Sequence, residues 1–391
     1  MTSKVIVFGF MLRCLGAMFW KLLALLLERL LFTCSPNKEK PPIACIVRID
    51  AIGDYILFRQ ALRSLRFSPR LTGKKIVFCG NAVWRELAEY LDADCFDEFI
   101  PIDCRKFRSS RLYRKITLLA IKYLGAVIAL NPTFSRNYWG DILIAATGAR
   151  EKIGFYSIPQ NISPDLKQIT DKLYTELIPY QETFSFEVVR NQEFLHYLGV
   201  PQQDIQPFHH ALKPRLNNDT HNNICFFIGA SDSHRRWPVE YWLELAHCLA
   251  HDYELPVVWL GGQDCKDDVR KIITSLPANS HNLVGNTSLV ELLHIISDAR
   301  LMVTHDSMGL HFAAMLAIPH IVISNGQHAG RFHPYPADIA PKGFAVYPEG
   351  FGSATPDNVK KYYYAQSPFS IATISVERVY TILAHILKTA L

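Results

Sequence analysis

A chain of 391 residues with 49% hydrophobic and 20% charged residues has the composition of a globular protein and exceeds the size at which one core stops growing, so two domains are expected. The formal net charge of +5 is small for this length, and the one dense Lys/Arg tract, Arg105–Lys115, is short; this argues against a nucleic-acid binder and fits a mildly basic surface near anionic lipid or sugar phosphate. The nine cysteines are dispersed, include no C-x-x-C pair and lie partly in apolar strand-like runs, as Cys45 and Cys225 do, which points to reduced core thiols in a cytosolic setting and away from a structural zinc.

Val5–Phe32 is strongly apolar but is broken by Arg13, Lys21, Glu28 and Arg29, so it lacks the roughly 18 uncharged apolar residues of a spanning helix. The four charges share about half of a helical wheel, which predicts an amphipathic helix over residues 1–35 lying in a membrane interface, anchored by Phe19 and Trp20. A spanning or signal segment, or a helix packed on the protein itself, are the other readings of this stretch. Beyond the polar linker Ser35–Pro42, strands are expected at Ile43–Ile49, Lys75–Cys79, Phe96–Ile102 and Gly125–Leu130. Helices are expected near Asp54–Arg66, Ala82–Leu91, Ser110–Tyr123 and Trp139–Thr147. After Pro201–Asn223, which reads as an interdomain connection, a second series follows. Its strands are Ile224–Ile228, Pro256–Leu260, Leu301–Val303 and His320–Ser324, and its helices lie near Val239–His251, Lys266–Leu276, Leu289–Ser297 and Gly309–Ala317. Two βα arrays in tandem imply an α/β protein with two Rossmann-like domains facing a cleft, over residues 43–205 and 218–375. Residues 376–391 form a terminal amphipathic helix, with Ser375 as its cap, expected to pack across the domain junction.

Four turns could carry chemistry. The first strand ends in Arg48-Ile49-Asp50-Ala51-Ile52-Gly53-Asp54. One glycine stands where a dinucleotide fingerprint needs three, so a nicotinamide or flavin enzyme is disfavoured. Asp54 would be a carboxylate held at a strand-to-helix turn, able to take a proton from a hydroxyl, or simply a helix cap; Asp50 competes with it. Gly229-Ala230-Ser231-Asp232-Ser233-His234-Arg235-Arg236-Trp237-Pro238 combines small residues that admit a phosphate with paired arginines that could neutralise a diphosphate, unless it is a solvated basic turn. Leu301–Gly330 lays out a buried strand, a small-polar turn, a helix and a second strand, the arrangement of an anion-binding βαβ unit. Within it, Asp306 and His311 are five positions apart and share no helix face, so His305, Asp306 and His311 make a poor metal site. The polar loop Asn325–Tyr335 follows a buried strand, where ligands commonly bind. Gly261–Asp264 and Gly285–Ser288 read as structural turns and helix caps.

Together these segments resemble glycosyltransferase family 9, the heptosyltransferases of lipopolysaccharide core assembly. Arg48–Arg66 is similar to the family's opening strand, Gly-Asp turn and helix, Gly229–Trp242 to its Pro-Gly-Ala and Lys-Arg-Trp-Pro segment, and Leu283–Gly326 to its Gly-x-Thr-Ser-Leu and Asp-Ser-Gly-x-x-His segment. The resemblance implies a GT-B fold and an inverting, metal-independent transfer from a nucleotide-sugar, with no further cofactor and with ADP-heptose or a similar sugar as donor. The acceptor would be a lipid-linked surface glycan at the cytoplasmic face of a bacterial inner membrane, reached by a protein held there through residues 5–33. By the same resemblance Asp54 is the general base; Gly229, Ala230, Ser231, Arg235, Arg236, Asp306, Ser307, Gly309, His311, Asn325 and Gly326 hold the donor; and Arg48, Asp50 and Gly53 face the acceptor. Arg235 replaces the family's lysine, Met308 the glycine after Asp-Ser, and Gln60 a frequent proline. A GT-B hydrolase or epimerase of nucleotide-sugars, and a non-catalytic, membrane-docked sugar-nucleotide binder, are the rival readings.

Overall fold

The computed structural model describes residues 41–180, 184–212, 223–353 and 355–389. The amphipathic helix expected over residues 1–35 lies outside them. Apolar strands flanked by helices assemble into two six-stranded sheets in which every pairing is parallel. The first comprises β1 (Ile43–Arg48), β2 (Lys75–Asn81), β3 (Glu98–Ile102), β4 (Ala126–Asn131), β5 (Glu151–Phe155) and β6 (Glu176–Ile178), in the order β3-β2-β1-β4-β5-β6. Its helices are α1 (Ile52–Ser64), α2 (Arg85–Leu91), α3 (Cys104–Ser109), α4 (Arg111–Tyr123), α5 (Tyr138–Ala146), α6 (Pro164–Asp171) and α7 (Glu187–Tyr197). The second sheet repeats the plan with β7 (Asn223–Phe227), β8 (Val257–Leu260), β9 (Ser280–Asn282), β10 (Ala299–His305), β11 (His320–Ile323) and β12 (Gly343–Val346), ordered β12-β11-β10-β7-β8-β9. Its helices are α8 (Val239–Tyr253), α9 (Lys266–Ile272), α10 (Leu289–Ser297), α11 (Met308–Met315), α12 (Pro356–Tyr362) and α13 (Val376–Thr389). Both orders are doubly wound, and each reverses direction beside its first strand, which opens a crevice at the carboxyl ends of β1/β4 and of β7/β10.

Central strands are buried on both faces, which is why β1 and β10 read as continuous apolar runs. The strands that sequence reading did not anticipate, β5, β6, β9 and β12, lie toward the sheet edges and are short or polar. β9 is Ser-His-Asn and is recruited by backbone pairing to β8. The turn before α10 is structural, as expected: Ser288 Oγ accepts from the Glu291 N–H at 3.2 Å, while the Ser288 N–H donates to Glu291 Oε2 at 2.8 Å.

The domains meet through α1, which packs on α11 of the second domain and on α7 of its own. A single apolar cluster runs from Ala44, Ile46 and Phe58 in the first domain to Leu310, Phe312 and Met315 in the second. Within it Asp92, fully buried, accepts both from Arg59 Nε and from Arg59 Nη2 at 2.7 Å and also accepts from the Tyr55 hydroxyl. Arg59 thereby remains charged in a place where an unpaired guanidinium would be costly. Gln60, at the frequent-proline position, is buried and accepts from Gln192 at 2.9 Å, so it ties α1 to α7.

One expectation is corrected. Helix α13 does not pack across the domain junction. Val379, Leu383, Ile386 and Leu387 join the core of the second domain, against α8, β11 and β12, because its apolar stripe matches the face those elements leave uncovered. The crossing is made by residues after α12: the Tyr363 hydroxyl donates to the Ser185 carbonyl, and the Tyr364 carbonyl accepts from Gln160 at 3.2 Å. All seven described cysteines are free, and the buried Cys45 and Cys79 sulfurs lie 3.5 Å apart. Among the described residues no helix is long and apolar enough to cross a membrane.

Candidate active site

The turn after β1 brings a cluster of charge to the crevice. Asp54 is the third residue of α1; its Oδ2 accepts from the Ala51 N–H at 3.2 Å, so the cap reading of this residue holds as far as one oxygen. Its Oδ1 makes no hydrogen bond among the described residues. Burial raises the proton affinity of Asp54 above that of an ordinary carboxylate; Arg48 and Arg331 oppose this and Glu187 adds to it. Asp50, beside it, is pushed up to about 8, chiefly by burial, with Arg48 lowering and Asp54 raising it. Arg48 itself is 1% exposed. Its Nε stands 2.8 Å from Asp50 Oδ2, its Nη1 donates to Asn191 Oδ1 at 3.2 Å, and it lies over the Phe58 ring at 4.5 Å. Arg48, expected to face an acceptor, is buried and contacts Asp50. Both Asp50 oxygens and Arg48 Nε are buried without an aligned hydrogen bond, which leaves polar capacity at the crevice for a bound hydroxyl.

Glu187, at the start of α7, and Arg331, from the loop after β11, complete this cluster and were not singled out from sequence. Arg331 Nε donates to Glu187 Oε2 at 3.2 Å, Arg331 Nη2 to Ser135 Oγ at 2.9 Å, and the Glu187 N–H to the Arg331 carbonyl at 3.0 Å. The second domain thus reaches into the first with a cation that also faces Asp54. Arg331 belongs to the polar loop that sequence reading marked as ligand-binding; its apposition to Glu187 depends on a separation of 144 residues that no local pattern shows.

Across the crevice stands the N-terminus of α11. A Cβ built on Gly53 would meet His311 Cδ2 at 2.7 Å, so glycine is what lets the first turns of α1 and α11 approach. His311 shares a hydrogen bond of 2.8 Å with the Tyr335 hydroxyl, and burial lowers its pKa to about 4, so the ring is neutral. His305 is lowered to about 3 by burial, and its Nε2 accepts from the Trp237 N–H at 2.8 Å. Asp306 has the opposite character to Asp54. It accepts from Arg235 Nη1 at 2.9 Å and pairs with His328 Nδ1 at 3.0 Å, and although burial opposes ionisation, His328, His333 and Arg235 hold it well below the usual carboxylate range. Asp306 is therefore an ionised anchor for Arg235, spent on protein contacts. Ser307, the residue before α11, is half-buried and makes no capping bond, which leaves first-turn N–H groups of that helix available.

The paired arginines diverge. Arg235 lies beside the α11 N-terminus, its Nη2 donating to Ser231 Oγ at 2.5 Å and its Nε buried without a partner. Arg236 turns away: its Nε donates to the Ala230 carbonyl at 2.8 Å and its Nη2 pairs with Asp264. Several other positions expected at the donor site have packing roles. Gly309 allows contact with Phe227 and Met302, and Gly326, at φ +92°, sits against Phe351. Asn325 is buried, and its Nδ2 donates to the His234 carbonyl at 3.3 Å. Gly229 and Ala230 are buried in the turn just after β7, with Ser231 exposed beyond them. The structure thus gathers Gly53, Asp54, Asp50, Arg235, Asp306, Ser307 and His311 at one junction and assigns Arg48, Arg236, Asn325, Gly326 and Gly309 to its walls. Among the described residues no group of three or more His, Cys, Asp or Glu is placed to hold a metal ion.

Two doubly wound domains with a shared crevice make a GT-B-like fold, with a carboxylate on one side of the crevice and a cation beside a helix N-terminus on the other. The sequence model of glycosyltransferase family 9 (heptosyltransferase) matches residues 179–340. No curated protein sequence matches the chain. Among solved structures, a family 9 glycosyl transferase from Veillonella parvula is similar at 17% identity and a TM-score of 0.70, covering 91% of this chain and 100% of its own. The ADP-heptose lps heptosyltransferase II of E. coli is similar at 18% identity and 0.62, covering 89% and 99%, and the E. coli heptosyltransferase WaaC with ADP at 15% and 0.65, covering 88% and 99%. The chain thus resembles the heptosyltransferases of glycosyltransferase family 9, by the family model over residues 179–340 and by its fold along most of its length. The matched segment begins at residue 179, so the first-sheet half of the resemblance, Arg48–Arg66, rests on the fold likeness.

Proposed function

We propose that the protein transfers a heptose or related sugar from an ADP-activated donor to a hydroxyl of a lipopolysaccharide or similar lipid-linked glycan, with inversion and without a metal ion, at the cytoplasmic face of a bacterial inner membrane. Asp54 takes the proton of the acceptor hydroxyl as its oxygen attacks the anomeric carbon. The bond from that carbon to the β-phosphate oxygen breaks, and the nucleoside diphosphate leaves with the electron pair. Its growing charge meets Arg235, oriented by Asp306, and the first N–H groups of α11. Asp50, protonated near neutrality, offers a hydrogen bond to the acceptor, and Arg48 fixes its position from below. Residues 5–33 hold the enzyme at the membrane surface.

What supports this reading above all is the contrast across the crevice: a carboxylate with raised proton affinity and one free oxygen, facing a helix N-terminus flanked by an arginine with an unused N–H. The likeness to structures described with ADP supports the choice of nucleotide. The test is a melting-temperature screen of the purified protein against nucleotide-sugars, followed by turnover of Asp54→Asn. A shift with ADP-heptose and loss of turnover with that shift retained are expected. Unchanged turnover removes Asp54 as the base, and a shift only with UDP-, GDP- or dTDP-sugars replaces the donor.

A further inference from the structure

The segment from Cys104 to Tyr123 holds seven Lys or Arg residues and no Asp or Glu, and the next acid in the chain is Asp141. Helix α4 buries Tyr113, Thr117 and Ile121, one stripe at i, i+4 and i+8. Its opposite side should be polar if it met only water. Instead Leu112, Leu119 and Tyr123 stand out at 66%, 43% and 53% exposure, with half-buried Ile116 completing the row. Beside them runs a second exposed row, Arg111, Lys115 and Lys122, none of which is ion-paired among the described residues. Arg114 points inward, lying 5.0 Å over Trp139 and donating to the Phe107 and Arg108 carbonyls at 2.9 and 3.0 Å. It pins α3 to α4, so that exposed Arg105 and Arg108 extend the same cationic surface. A groove lined by Arg111, Arg114, Lys115, Leu119 and Lys122 runs along this face.

We propose that the outer face of α4, extended by α3, docks on an anionic phospholipid bilayer, its Leu112–Tyr123 row entering the headgroup boundary and its cations meeting lipid phosphates. Parallel rows of large apolar and cationic residues on the solvent side of one helix suit a surface that is itself layered into charge and hydrocarbon. A soluble phosphate or a nucleic acid would use the cations and leave the leucines in water. The start of α3 reaches the turn of the candidate active site: Cys104 Sγ lies 3.4 Å from the Ile49 carbonyl, next to Asp50. Docking here would bring a lipid-linked acceptor up beside the carboxylates. The proposal draws nothing from residues 5–33 and stands whether or not the donor assignment does.

The test is hydrogen exchange of the full chain with vesicles of phosphatidylcholine alone or with added phosphatidylglycerol. Slower exchange across residues 104–124 is expected with the anionic vesicles only. The variant Arg111→Gln/Lys115→Gln/Lys122→Gln should lose that protection and bind anionic vesicles about 100-fold more weakly, at about fivefold per cation. Leu112→Ser/Leu119→Ser should weaken binding without changing its salt dependence. Both variants should keep the wild-type melting temperature, because the residues are exposed. Vesicle binding without protection at 104–124 would overturn the proposal in favour of another segment, and equal protection by inorganic phosphate without vesicles would overturn it in favour of an anion site. Failure of every nucleotide-sugar to shift the melting temperature would count against the donor reading and leave this surface untouched.

Discussion

Asp54 and Asp306 are both aspartates at the carboxyl end of a buried parallel strand, just before or within the first turn of a helix, yet the structure gives them opposite chemistry. Asp306 is surrounded by Arg235, His328 and His333 and stays ionised in spite of burial. Asp54 has Arg48 and Arg331 on one side and Glu187 on the other, so burial wins and its proton affinity rises. Residue type and strand-end position are therefore not enough to identify a base. The partners decide, and they come from elements remote in sequence.

The largest expected effect comes from removing the base. Asp54→Asn should lower turnover by about 10² to 10⁴-fold, the range for a general base, with the nucleotide-sugar melting shift intact. Because Asp54 works deprotonated and its proton affinity is raised, kcat/KM should fall on the acid side at a higher pH than that of an ordinary carboxylate. An acid limb near pH 4 would speak against it. Asp306→Ala should instead act on stability, by about 1–3 kcal/mol, since it leaves the half-buried Arg235 without its carboxylate; chemical denaturation measures this, and a turnover loss with full stability would put Asp306 in the chemistry. Splitting the arginines comes next: Arg235→Ala should raise the donor KM by about tenfold or more, a charge-assisted contact, whereas Arg236→Ala should leave KM unchanged. The smallest effect concerns Asp50. Its folded pKa of about 8 lies above the unfolded value, so its contribution to stability is present at low pH and is lost as pH rises toward 8. Asp50→Asn should flatten that fall, read from melting temperatures between pH 4 and 8; an unchanged slope would show that Asp50 is ionised throughout.

Much of this was legible in the sequence where the information was local. The central strands β1, β2, β4, β7, β8, β10 and β11 announce themselves as apolar runs, and α10 matches its expected bounds because Ser288 and Glu291 cap it by themselves. β9 and the short helices α3 and α6 were not legible, since a three-residue polar strand is held by its neighbour and short helices by what they pack against. At the site, Asp54, Arg235 and Asp306 stood out because strand-end turns before helices are marked by small and polar residues. Glu187 did not, because nothing near it in the chain differs from an ordinary helix start.

The sequence alone determined the two-domain α/β plan, the turns that carry polar side chains and the family resemblance, since hydrophobic periodicity and short motifs are properties of neighbouring residues. Only the tertiary structure decided which aspartate is held ionised and which has its proton affinity raised, that Arg235 and Arg236 part company, that Arg331 reaches Glu187, and that α13 closes its own domain. Each of these depends on burial and on charges brought together from distant segments, and electrostatics in a low-dielectric interior is set by distance in space and not by distance along the chain.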